Sequence, residues 1–228
     1  MQINTIAFDA DDTLWVNETF FRDAEDHFCL LFNDYIPYEE CQEQLFKMEM
    51  RNLPMYGYGI KPFTLSLIEA AIEITNNKVS TKQISELIAL GKEMLDAPVQ
   101  LIDGIENVLS TLSRKHKLVV ATKGDLLDQE RKLDKSGLAK YFHHIEVMSD
   151  KQPKNYTKLV NHLDIKPQEF LMVGNSLKSD ILPVLEIGGH AFHIPFHTTW
   201  IHEQVAEEIQ HIHFKELAKA SEIIELLK

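Results

Sequence analysis

Cysteine is scarce in this sequence: its 228 residues include two, Cys29 and Cys41. Two thiols cannot form a disulfide framework, so a buried core must hold the fold, and a reducing cytoplasm is the expected setting. Positive charge is also in deficit. Lys and Arg number 23 against 35 Asp and Glu, a formal net charge of −12. That balance argues against a nucleic-acid partner, whose phosphates demand a basic surface. It also means that the global field does not steer an anion inward. Any phosphate site must be built locally from a cation, a lysine and backbone amides. Long apolar runs are missing too. No window approaches the roughly 18 residues of a membrane span, and no basic n-region precedes the first strand, so neither a membrane partner nor a leader is expected.

What is present is an alternation of apolar runs and helical patterns. Ile3–Phe8 (INTIAF) is β-branched and too apolar for a half-solvated strand, which points to a buried strand of a parallel sheet. Similar runs recur at Leu118–Ala121, Ile145–Met148, Phe170–Val173 and Ala191–Pro195. Helical patterns lie between them: Asp103–Lys115, Asn155–Leu163, and Ser179–Ile187 closed by Gly188-Gly189. Strand–helix alternation with short connections predicts an α/β fold with a doubly wound parallel sheet.

Residues 17–96 break that pattern. Four helical patterns and no convincing strand occupy them. Asn17 is placed to cap the first, and Tyr38, Cys41, Leu45 and Met48 mark the second. Pro62 opens the third, and Ser80-Thr81-Lys82-Gln83 reads as a capping box for the fourth. An all-helical insert after the first strand is expected to form a smaller domain, with residues 1–16 and 97–228 forming the core.

The first strand ends in Phe8-Asp9-Ala10-Asp11-Asp12-Thr13-Leu14. Three carboxylates crowd the carboxyl end of a strand, where α/β sheets place their ligands. Like charges so close repel unless a cation joins them or one stays protonated.

From here the chain resembles the haloacid dehalogenase-like (HAD) superfamily. Asp9, Asp11 and Thr13 match its D-x-D-x-T motif after a strand. The second motif, a strand ending in Ser or Thr, is matched by Leu118–Thr122. The third, a lysine ahead of a helix, is matched by Lys151, with Lys154 as its rival. The fourth is matched by Val173-Gly174-Asn175-Ser176 and Asp180. The insert falls where the superfamily carries a helical C1 cap. The resemblance implies a phosphatase of a small phosphorylated metabolite, in which Asp9 attacks phosphorus and Asp11 acts as acid and then base. It further implies that Thr122 and Lys151 hold the phosphoryl group. Mg²⁺ would be held by Asp9, the Asp11 carbonyl, Asn175 and Asp180. Asn175 departs from the family's usual aspartate and removes one negative charge. A 2-haloacid dehalogenase would lack Asp11; a phosphomutase or a non-catalytic phosphate-binding protein shares the remaining features.

Lys123 is a further candidate for substrate binding, as are Tyr58 and Lys61 in the glycine-rich stretch Tyr56–Lys61 between two helices. Arg22 and Arg51 are read as solvated helix surface. Asp125 and Asp128 suit a helix N-terminus. His190, His193, His197, His202, His211 and His213 match no standard zinc spacing. Oligomeric state is not legible.

Overall fold

The computed structural model describes residues 3–206 and 208–227. Among these, six strands form one parallel sheet: β1 (Thr5–Phe8), β2 (Lys117–Lys123), β3 (His144–Met148), β4 (Phe170–Gly174), β5 (His190–His193) and β6 (Phe214–Glu216). Their order is β3-β2-β1-β4-β5-β6. The expected doubly wound α/β fold is therefore present.

β1 is buried along its whole length because its side chains feed two cores. Ile6 and Phe8 pack with Val108 and Leu109 of α5 (Ile105–Leu112) and Ile223 of α9 (Glu222–Leu226). Ala7 faces the other way, among Val119, Ala121, Tyr156 and Leu159, the last two from α7 (Pro153–His162). Successive strand residues point to opposite faces, so a strand covered on both sides must be apolar throughout.

Two elements differ from the sequence expectation. β6 has only the residues Phe-Lys-Glu and no apolar run to announce it. The helix after β4 starts earlier than Ser179, with a π-helical turn over Leu177–Ile181 leading into α8 (Leu182–Glu186). Such turns are rare and concentrate at functional sites.

The chain divides into two compact units. One comprises Met1–Glu18, Val99–Lys123 and Gln129–Lys228 and contains the sheet; the other comprises Thr19–Pro98 and Gly124–Asp128. The second unit is helical: α1 (Glu18–Leu31), α2 (Tyr38–Tyr56), α3 (Ile60–Ile74) and α4 (Thr81–Asp96). Its core gathers Phe28, Cys29, Cys41, Leu45, Phe63, Leu67 and Leu87, and both cysteines are free. The capping box is formed: Gln83 N donates to Ser80 Oγ at 3.2 Å and Ser80 N to Gln83 Oε1 at 3.0 Å. Among the described residues no helix is long and apolar enough to cross a membrane.

Candidate active site

The sheet order explains where chemistry can occur. The chain builds outward from β1 through β2 to β3, then crosses back to place β4 on the other side of β1. At such a switch point the connections diverge and leave a crevice at the carboxyl ends. Register sets Phe8 opposite both Val120 and Val173, and Asp9 N donates to Val173 O at 2.9 Å. Asp9 thus leaves β1 level with Ala121 and Gly174, and the loop after β4 begins at its side.

The Lys151 ammonium lies 2.5 Å from Asp9 Oδ1 and 2.6 Å from Asp180 Oδ1. Lys151 is 2% exposed, Asp180 1% and Asp9 6%. Burial alone would lower the lysine, but the Asp180 and Asp9 charges outweigh it and push its pKa up. Burial drives the Asp9 carboxyl upward; Lys151 pulls it down, and Asp180 adds to the rise. Two buried carboxylates share one ammonium, and burial pushes the Asp9 carboxyl up to about 7. Lys154 lies exposed in the first turn of α7, so of the two rival lysines it is Lys151 that reaches Asp9.

Asp180 is held tightly. Ser176 N donates to its Oδ2 at 3.0 Å, and a Cβ at Gly174 would stand 2.2 Å from that same oxygen. Thr13 Oγ1 sits 3.2 Å from Asp9 Oδ2 and 3.4 Å from Asn175 Oδ1, so the two oxygens converge on one hydroxyl. Thr122, 1% exposed, ends the buried part of β2 and donates its hydroxyl to Lys123 O. The structure therefore brings Asp9, Lys151, Asp180, Thr13 and Asn175 together and sets Thr122 on the neighbouring strand end.

The acid role that the resemblance implies for Asp11 calls for a raised pKa, but the carboxyl is surrounded by donors instead. Its Oδ1 accepts from Trp15 Nε1 at 2.7 Å and Lys132 Nζ at 2.8 Å, and its Oδ2 from Gln129 Nε2 at 2.8 Å. Burial would raise this group, yet the Lys132 charge and the three donors outweigh it and hold the carboxyl below its ordinary value. The raised neighbour is Asp12, pushed up to about 8 by burial and by the Asp11 charge. Asp12 has φ 63°, a left-handed conformation that Asp tolerates better than most residues. Its carboxyl accepts from Asn17 N and Glu18 N at 2.8–3.1 Å. Asp12 therefore supplies the cap of α1 that was expected from Asn17, whose amide oxygen instead accepts from Lys132.

The Lys123 ammonium is engaged by Glu203 Oε1 at 2.7 Å and Ser179 Oγ at 2.9 Å. Glu203 Oε2 in turn accepts from Ser176 Oγ and Ser179 Oγ, each at 2.5 Å. Burial would raise Glu203, but the Lys123 charge and these hydrogen bonds bring it down to about 2. His193 Nε2 donates to Asn175 O at 3.0 Å. Sequence reading missed Trp15, Gln129, Lys132 and Glu203, because none of them lies in a motif, and weighed His193 only as a zinc ligand. Lys61 and Tyr58 belong to the helical unit, where Lys61 pairs with Asp125 at 2.8 Å and Tyr58 lies on the Gly57–Gly59 link. Asp125 also accepts from Asp128 N, at the start of α6 (Leu126–Ser136), as its position suggested. Arg22 and Arg51 pair with Glu25 and Glu73.

Comparison with known proteins completes the picture. The family model described as haloacid dehalogenase-like hydrolase matches residues 3–188. N-acylneuraminate-9-phosphatase of Homo sapiens is 23% identical over 213 residues, 89% of this chain and 84% of that protein. A haloacid dehalogenase-like family hydrolase from Xanthomonas campestris has a crystal structure that superposes with a TM-score of 0.88 at 36% identity. That match covers 99% of this chain and 90% of the other. The magnesium-bound HAD-hydrolase YfnB from Bacillus subtilis shares the fold, with a TM-score of 0.66 at 23% identity over 100% of this chain and 99% of that one. With its family pattern running from the first strand to the end of α8, the chain belongs to the haloacid dehalogenase-like hydrolase family.

Proposed function

We propose that the chain is a Mg²⁺-dependent phosphatase that hydrolyses a small phosphorylated metabolite through an aspartyl-phosphate on Asp9. The observation that carries this reading is the buried Lys151 ammonium bound to both Asp9 and Asp180 at the sheet's switch point. A positive charge fixed beside a buried nucleophile is what phosphoryl transfer requires, because catalysis there is mostly positioning and charge neutralisation.

The residues present fit Mg²⁺. Asp9, Asn175, Asp180 and the Asp11 carbonyl are hard oxygen donors. The Asp9 and Asn175 oxygens converge on the Thr13 hydroxyl, and Asp9 and Asp180 share the Lys151 ammonium. When bound, the ion would neutralise charge on the phosphoryl oxygens.

Asp9 forms the new bond to phosphorus as the ester P–O bond breaks. Thr122 and Lys151 hold the equatorial oxygens. In the second half-reaction Asp11 accepts the proton of the attacking water, and the Asp9–phosphorus bond breaks. The ionised state in which Lys132, Gln129 and Trp15 hold Asp11 suits that step. In the first half Asp11 must enter protonated, loosened from Lys132, and give that proton to the leaving oxygen; the proton it takes from water in the second half restores it. The helical unit corresponds to a C1-type cap, and Tyr58, Lys61 and Lys123 are the candidates for substrate selection.

The curated relatives make N-acylneuraminate 9-phosphate a substrate to include in a panel of phosphate esters. Steady-state hydrolysis of an aryl phosphate and that panel, with and without Mg²⁺, tests the reading. Asp9→Asn is expected to abolish turnover while leaving the circular dichroism spectrum unchanged. Wild-type rates in that variant would remove the mechanism.

A further inference from the structure

A second cluster of ligating side chains lies at β3, which β2 separates from the strand leading into Asp9. β3 is an edge strand, paired only with β2, and its side chains alternate. Met148 packs into the core that α7 covers, and by the period of two His144 and Glu146 share its face. Two polar groups thus occupy positions where a covered strand would ordinarily place apolar ones. They meet each other, with His144 Nε2 and Glu146 Oε2 3.0 Å apart, and each side chain is about one-third exposed, 30% and 33%. His162, the last residue of α7, completes the group, its ring centroid 5.1 Å from that of His144. One ligand atom from each of His144, Glu146 and His162 lies within 4.8 Å of the others.

We propose that His144, Glu146 and His162 form a binding site for a borderline divalent transition metal, Zn²⁺ in particular, separate from the catalytic crevice. Two imidazole nitrogens and one carboxylate oxygen are a donor set that zinc accepts and magnesium does not favour. Zinc bonds of about 2.0–2.1 Å place tetrahedral donors about 3.3 Å apart. Side-chain rotation at a partly exposed edge closes the observed spacing to that value. The carboxyl end of α7 supports the assignment independently, because the helix dipole favours a cation there. The fourth position is left to water. His144 opens β3, whereas Lys151 lies beyond the strand's carboxyl end, so an ion here takes no part in phosphoryl transfer. Its effect is to tie the end of α7 to the sheet edge.

The test uses the full chain, stripped with a chelator and titrated with ZnCl₂ and with MgCl₂ by calorimetry, with melting temperature as a second readout. One zinc per chain is expected at this site, accompanied by a rise in melting temperature. His162→Ala and His144→Ala should each weaken binding at least about tenfold and remove that rise. Asp9→Asn should leave both readouts unchanged, which separates this site from the catalytic one. His211→Ala should also leave them unchanged, which excludes the His190–His211–His213 group at the opposite edge of the sheet. The exposed His162 keeps the test open even if His144→Ala misfolds, and His162→Gln preserves its bulk. Zinc binding that persists unweakened in the His162 variants, or no binding in wild type, overturns the proposal.

Discussion

Glu203 lies outside the segment that the family model matches, yet it grips both Lys123 and the loop that carries Asn175 and Asp180. Replacing it by Gln keeps its size and one acceptor oxygen and removes the charge. Holding the carboxyl at about 2 rather than 4.5 corresponds to roughly 3 kcal/mol of preference for the ionised form. The amide oxygen recovers part of that, so Glu203→Gln should destabilise the chain by about 2 kcal/mol near neutral pH. Because the folded-state value is depressed, the stabilisation is fully present above about 4.5 and is lost as pH falls toward about 2. Urea unfolding of both proteins at about pH 7 and about pH 3 should therefore show a difference that shrinks on acidification. Phosphatase turnover should fall as well, since a displacement worth 1.4 kcal/mol is about tenfold in rate. A difference under about 0.5 kcal/mol, or one that is independent of pH, would refute the electrostatic account.

Gly174→Ala should be both unstable and inactive. The added Cβ would meet Asp180 Oδ2 at 2.2 Å and its Cγ at 2.4 Å, and Asp180 cannot swing away while Lys151 and Ser176 N hold it. A cost of about 1–3 kcal/mol is expected, and wild-type melting and turnover would contradict it. Ser80→Ala removes the hydroxyl that accepts from Gln83 N and should cost about 1 kcal/mol, read by thermal unfolding, with kcat unchanged.

How much was legible depends on whether a residue announces itself locally. Thr5–Phe8 is covered on both faces, so its sequence is uninterrupted by charge and its role as a buried strand can be read directly. Asp9, Lys151 and Asp180 are each tied to a strand end or helix start, and sequence order alone brought them to one place. Phe214–Glu216 is different: three residues at the sheet edge need bury little, so nothing in their pattern marks a strand. Glu203 and Lys132 act on groups 24 to 121 residues away in the chain, and a charge in a loop or on a helix face carries no period. The lowering of the Asp11 carboxyl is hidden from the sequence for the same reason. Its carboxylate neighbours are visible in the motif, while the Lys132, Gln129 and Trp15 donors that outweigh them depend on tertiary packing.

The placement of β1 at the middle of the sheet has a consequence for biosynthesis. Thr5–Phe8 leaves the ribosome well before its two partners, which begin at Lys117 and Phe170. The strand that leads into Asp9 must wait, unpaired, until the segment from Lys117 is made, and pairings of such long sequence separation form slowly. A nascent chain halted before Phe170 carries an apolar strand open on one edge, the kind of intermediate on which chaperones act.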